Sequence, residues 1–154
     1  MDNAVDIQVR ETANGRREVL DPVRRRWVAL TPEEWVRQNV ILHLTQRLGY
    51  PKELLSVECA ITLNGLTRRC DIVVYNQQMQ PVMIVECKQP EVALTQRVAD
   101  QACRYNLVLG VPYLLLTNGR KSLCLRVDTT SKTLTTMPSI PSWEELELKK
   151  NVKI

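Results

Sequence analysis

Three apolar runs and the spacers between them constrain the fold more than anything else in the chain: DIVVY at 71–75, MIVEC at 83–87 and YLLLT at 113–117. Each has the length of a buried strand and falls far short of the roughly 20 apolar residues of a membrane span. The first spacer, NQQMQP, is a polar turn, so the first two strands fold back on each other. The second spacer, at 91–109, carries Leu94, Val98, Ala102, Tyr105 and Leu109 at helical spacing and stops at Gly110. A helix between two strands lets them lie parallel. The expected fold class is therefore α/β, with a mixed central β-sheet flanked by helices.

Upstream, Thr31 is an N-cap, Pro32 suits a first helical turn, and Glu33 and Glu34 complement the positive end of a helix dipole. This helix carries Val36, Val40, Ile41, Leu44 and Leu48 on one face and stops at Gly49. The segment 54–62 alternates as a strand, with Leu55, Val57, Cys59 and Ile61 on one side, before a hairpin turn at Asn64 and Gly65. SLCLRV follows a second turn at Asn118 and Gly119, and the polar, Pro-rich tail ends in a short helix at 143–150. The organisation expected is one domain over 1–154: a basic N-terminal hairpin at about 1–30, a core at about 31–127 and a C-terminal tail at about 128–154.

With 154 residues, 44% hydrophobic and 25% charged, the chain can bury a sizeable core. It shows neither a membrane span nor a secretory leader, which predicts a soluble, cytoplasmic protein with no membrane partner. Five cysteines without a CxxC pair predict reduced core residues. The net charge of +4 and pI near 8.9 fit a nucleic-acid partner without requiring one. Arg24, Arg25 and Arg26 crowd the turn marked by Asp21 and Pro22, which reads either as a solvated hairpin or as a phosphate-contacting arm.

Charges at the ends of the apolar runs set the chemistry. Residues two apart on a strand share a face, so Glu86 and Lys88 point together while Cys87 points away with Val85 and Met83. Asp71 opens the neighbouring strand and can meet them at the same end of the sheet. Two carboxylates beside an ammonium suit Mg²⁺ or Mn²⁺, which polarises a phosphoryl oxygen and activates a water.

CD at 70–71 and ECK at 86–88, separated by 14 residues from Asp71 to Glu86, resemble the PD(D/E)xK nuclease signature, with Cys70 in place of the usual Pro. ALTPEEWVRQ, GYP, DIVVY, VECK, QACRY and LLTNG resemble, over about 20–127, the N-terminal nuclease domain of the type I restriction enzyme R subunit. The resemblance implies a restriction-endonuclease-like fold and Mg²⁺- or Mn²⁺-dependent hydrolysis of DNA, duplex or single-stranded, in restriction or repair. It implies Asp71, Glu86 and the Cys87 backbone carbonyl as metal ligands and Lys88 as the assisting cation. QACRY is similar to the QxxxY element of the RecB-like branch, which adds Gln101 as a catalytic-site residue and Tyr105 as a DNA contact. Related nucleases also place a Glu of the first helix near the metal. Glu33 is assigned that place because it aligns with Val36, Arg37 and Val40, whereas Glu34 points toward the edge of the face; Arg37 is then its neighbour or a phosphate contact. GRKS at 119–122 does not make a GxxxxGK[ST] loop, so no ATP-driven motor is expected in this sequence. A partner protein for target choice, or a homodimer, suits so small a domain. Two other readings stay open: a non-catalytic nucleic-acid-binding or assembly module, and an RNA-processing nuclease.

Overall fold

The computed structural model describes residues 7–128 and 130–151. The ends of the expected hairpin and tail, at 1–6 and 152–154, lie outside the described residues, as does position 129. The basic N-terminal segment forms a small antiparallel sheet, β1 (Val9–Glu11), β2 (Arg17–Asp21) and β3 (Arg26–Ala29). Its β2–β3 turn falls where Asp21 and Pro22 place it. The Asp21 carboxylate accepts the Val23 and Arg24 N–H groups at 2.7 and 3.0 Å, side-chain bonds that hold such turns closed.

Helix α1 (Pro32–Leu42) begins as its sequence dictates, the Thr31 hydroxyl accepting the Glu34 N–H at 3.0 Å. One wider π-helical turn, His43–Arg47, follows. The main sheet has the order β4 (Leu55–Leu63), β5 (Leu66–Tyr75), β6 (Pro81–Cys87), β7 (Tyr113–Thr117), β8 (Ser122–Asp128) and β9 (Thr133–Thr136). Only β6 and β7 are parallel, joined by helix α2 (Gln96–Leu109). The tail ends in α3 (Trp143–Asn151). The mixed sheet flanked by helices is the fold class expected. The strand β9 is an addition: its residues Thr133–Thr136 are too polar to announce themselves, and the strand forms by pairing with β8.

Each face of the sheet carries one apolar layer. Val36 and Ile41 of α1 and Leu44 of the π-helical turn pack on Ile72, Val85 and Leu115, with Leu146 of α3 in the same layer. On the other face Ala102 and Leu109 of α2 pack on Val73, Ile84 and Leu114. Such layering is what a sheet with two buried faces requires.

One irregularity positions the site. Strand alternation puts every second residue on one face, and the sequence suggests Leu55, Val57, Cys59 and Ile61 together. Instead Leu55 and Val57 belong to the α1 layer, while Cys59 and Ile61 belong to the α2 layer. The switch occurs at Glu58, which adopts φ 50° in mid-strand, a conformation unusual for a non-glycine residue. Its register partner would be Asp71, but the ladder passes from Val57↔Ile72 to Cys59↔Cys70 without that pair. β5 changes face there too, Cys70 lying in one layer and Ile72 in the other. The break frees two facing acids from alternation. Both turn toward α1.

Candidate functional site

β5 and β6 pair from Tyr75↔Pro81 to Ile72↔Val85, beyond which no pairing joins Asp71 to Glu86. In place of the ladder, the Asp71 Oδ2 accepts the Cys87 N–H at 2.8 Å. Asp71 is thereby fastened to the strand that carries Glu86 and Lys88. On that strand Cys87 is buried with Val85 and Met83, and the Lys88 ammonium stands 3.4 Å from the Glu86 Oε1. Alternation along β6 is as the sequence suggests.

The two carboxylates approach this corner from different sides. The Asp71 Oδ1 pairs with the Arg37 guanidinium at 2.7 Å. The Glu86 Oε2 pairs with Arg68 at 2.8 Å. Arg68 in turn lies over the Tyr105 ring, 4.5 Å from its centroid, a cation–π geometry. Asp71 thus faces α1, and Glu86 faces α2. Among the described residues no three His, Cys, Asp or Glu side chains converge as a ready metal cluster. The donor set nevertheless fits a hard cation, since Asp71, Glu86 and the Cys87 carbonyl offer only oxygen. Each carboxylate is held by a guanidinium, Asp71 by Arg37 and Glu86 by Arg68. The Cys87 thiol lies in the apolar layer on the α1 side, where burial first, and then the Asp71 charge, push it above its usual range.

Arg37 is the centre of a larger cluster. Its guanidinium also meets Glu34 at 2.7 Å, Glu58 at 3.4 Å and Glu33 at 3.8 Å. Arg24, from the β2–β3 turn, pairs with Asp21, Glu34 and Glu58. Burial opposes both guanidinium charges, but the surrounding carboxylates outweigh it and raise both above the ordinary arginine value. Burial likewise works against the Asp21 charge, yet the Arg24 and Val23 N–H groups and the Arg24 guanidinium hold its carboxyl below the usual range. Even so, the Arg37 Nε is buried without a hydrogen-bond partner.

These contacts revise the helix-face argument for the two acids of α1. Glu34, expected at a wet edge, is 5% exposed, and Glu33, expected at the centre, keeps 41% of its side-chain surface. The buried face of α1 runs through Glu34, Arg37, Gln38 and Ile41. It is rotated toward Glu34 because Arg24 and Gln38 supply partners there, and a carboxylate can be buried where it is paired. Glu33 remains beside the corner. Partial burial, and then the nearby Asp71 charge, raise its carboxyl above the usual value, with Arg37 and Lys88 pulling the other way.

Arg24, read as one of three phosphate contacts, is instead committed to carboxylates, with 11% of its side chain exposed. Arg37 is equally sealed at 6%. Only Arg25 and Arg26 of the triplet are open. On α2, Gln101 is exposed and lines a cleft of about 380 Å³ with Glu86 and Lys88. Tyr105, expected on the apolar stripe, is 41% exposed. The buried stripe runs through Ala102, Asn106 and Leu109. Asn106 can enter it because its amide donates to the Val111 carbonyl at 3.0 Å. Thr95, whose hydroxyl accepts the Val98 N–H, starts α2 later than its apolar pattern suggests. Sequence reasoning missed Arg68, Glu58 and Arg24 as neighbours of the site. The Arg68 signal was its place three residues before Asp71, on a strand whose other end was already assigned.

The sheet with its parallel β6–β7 step, and the Asp and ExK residues where β5 and β6 part, define an α/β protein of nuclease-like fold. Residues 32–141 match the family of the type I restriction enzyme R protein N terminus, and the chain belongs to that family. A fragment assigned as an HsdR subunit of a type I restriction enzyme from Vibrio vulnificus YJ016 superposes with a TM-score of 0.55 at 21% identity. That match covers 79% of this chain and 25% of the other, so the chain spans a quarter of that relative's length. A protein assigned as a nuclease of the DUF820 family from Anabaena variabilis ATCC 29413 superposes with a TM-score of 0.50 at 11% identity, covering 90% of this chain and 87% of the other. No curated protein matches the sequence. At these identities the superpositions speak for the fold. Among the described residues no helix is long and apolar enough to cross a membrane.

Proposed function

We propose that this chain is a divalent-metal-dependent nuclease that hydrolyses DNA phosphodiester bonds as part of a restriction-type system. The observation that carries the reading is the bond from the Cys87 N–H to Asp71, which fastens the first acid to the strand bearing Glu86 and Lys88 just where the ladder ends. Family membership supports it. Asp71, Glu86 and the Cys87 carbonyl would hold Mg²⁺ or Mn²⁺. When bound, the cation supplies Lewis-acid polarisation of the phosphoryl group and a more acidic water.

The chain's own groups would do the rest. Lys88, whose side chain keeps 35% of its surface, can donate to a phosphate oxygen as charge builds there. Glu33, with its proton affinity raised, is suited to accept a proton from a water at the corner. Gln101 can orient the scissile group from the cleft wall. Arg37 would hold Asp71 aimed at the corner.

The test uses labelled single-stranded DNA, duplex DNA and RNA, each with Mg²⁺, with Mn²⁺ and with chelator. Metal-dependent DNA cleavage is expected, abolished by Asp71→Asn and Glu86→Gln with calorimetric metal affinity falling in parallel. Lys88→Ala should lose turnover while keeping metal. Cleavage that survives chelator, or metal affinity unchanged in both acid variants, defeats the proposal.

A further inference from the structure

Gln101 and Tyr105 open onto more than the corner that holds Glu86. Positions Arg97, Gln101, Arg104, Tyr105 and Val108 recur at three- and four-residue steps and so share one face of α2. Facing Leu66, they line a groove of about 570 Å³. Gln101 and Tyr105 also line the cleft shared by Arg68, Glu86 and Lys88. Groove and cleft therefore adjoin at Gln101 and Tyr105, and the cleft holds the ExK residues.

The lining has a definite chemistry. Arg97 and Arg104 are exposed and form no ion pair among the described residues, in contrast to the sealed Arg24 and Arg37. Beyond Arg104 on the same face, Tyr105 and Val108 are 41% and 50% exposed, and one face of the Tyr105 ring carries Arg68. Free guanidiniums beside a ring that keeps 41% of its surface exposed match a polynucleotide, with phosphates for the cations and a base for the part of the ring that Arg68 leaves open. A base inside a duplex is stacked on its neighbours, so only an unpaired one can lie on Tyr105. The groove is also held in shape, because the Asn64 amide at the tip of the β4–β5 hairpin donates to the Val108 carbonyl at 3.1 Å. Preformed sites of this kind lose less entropy on binding.

We propose that this groove binds single-stranded DNA, with phosphates on Arg97 and Arg104 and a base against Tyr105, and leads the strand to Glu86 and Lys88. The direction of travel rests on the nuclease reading above. Binding does not, and it is measured without metal.

Fluorescence anisotropy with labelled oligo-dT, in chelator and across a salt series, decides the matter on the full chain. Arg97→Ala with Arg104→Ala should weaken binding and flatten the salt slope by about 1.4, two contacts at about 0.7 each. Tyr105→Leu should cost about tenfold in affinity and leave the slope unchanged. An abasic oligomer should bind wild type about as weakly as oligo-dT binds Tyr105→Leu. All three residues are exposed, and circular dichroism will show that the variants fold. Wild-type affinity in the double arginine variant overturns the proposal. So does tighter binding of duplex, of oligo-rU or of the abasic strand. If oligo-dT binds as described and the wild type cuts nothing in Mg²⁺ or Mn²⁺, the nuclease reading falls and the groove stands.

Discussion

The two sides of the sheet treat arginine in opposite ways. On the α1 side, the buried Arg37 and the half-buried Arg24 are paired among Asp21, Glu33, Glu34, Glu58 and Asp71. On the α2 side, Arg97 and Arg104 stand unpaired at the rim of a groove. The first set holds the molecule together and keeps Asp71 aimed. The second is available to something from outside. Residue type alone does not distinguish these uses; what decides is whether carboxylates from another element are packed within reach. A basic cluster in a sequence is thus a weaker guide to a nucleic-acid surface than an arginine whose neighbours leave it uncompensated.

The largest break in this contrast should come from Arg37→Ala. It takes the shared cation from Asp71, Glu34 and Glu58 at once, leaving the Cys87 N–H for Asp71 and Arg24 for Glu34, and removing one partner of such a cluster costs about 3 to 5 kcal/mol. Chemical denaturation checks it. A loss no greater than that of a surface arginine would mean that the cluster holds nothing together.

Arg24→Ala should follow with about 2 to 3 kcal/mol, because Asp21 and Glu34 each keep other partners. Replacing the exposed Arg25 and Arg26 together should stay within about 0.5 kcal/mol. Equal effects of the two changes would erase the difference between the sealed residue and its open neighbours.

The smallest effect sharpens the comparison at the border between the two sides. The Glu33 carboxyl binds its proton more tightly in the folded chain than in the unfolded one. Its contribution to stability is therefore present below the ordinary glutamate value and is lost as pH rises through the raised folded value. Glu33→Gln should remove that decline and leave the protein slightly more stable at neutral pH, by less than about 1 kcal/mol given its exposure to screening. Thermal melts across an acid-to-neutral series check this. A variant less stable than wild type at neutral pH would mean that Glu33 holds the corner together instead of straining it.

Local signals carried much of the architecture. Thr31 starts a helix because its hydroxyl accepts a free N–H, Pro32 because its fixed φ suits a first turn where its missing N–H costs nothing, and Asn64 and Gly65 turn a chain because both tolerate positive φ, here 50° and 78°. The parallel step from β6 to β7 follows from the length of the helical segment between them. What stayed hidden depends on contacts between distant elements. Period-two alternation cannot anticipate Glu58 at positive φ, because the conformation is held where Arg24 and Arg37 meet its carboxylate. A helical wheel carries no information on which acid of α1 finds a partner. Tyr105 left the apolar stripe for the same kind of reason, with the Asn106 amide N–H bonded to the Val111 carbonyl inside and Arg68 waiting outside. The acids and lysine of the corner were legible by type and spacing. The arginines that hold Asp71 and Glu86 were not.

The family match begins at residue 32, yet the physical unit does not. Arg24 sits in the turn before that boundary and reaches across it to Glu34 and Glu58. A shortened chain kept only for its resemblance to relatives would retain both acids and discard a cation that neutralises them. The loss would be felt at Arg37 and, through it, at Asp71. Swapping the N-terminal hairpin between relatives is thus a change to the site's charge balance, and a graft that leaves out a residue equivalent to Arg24 should carry its own compensation at Glu34.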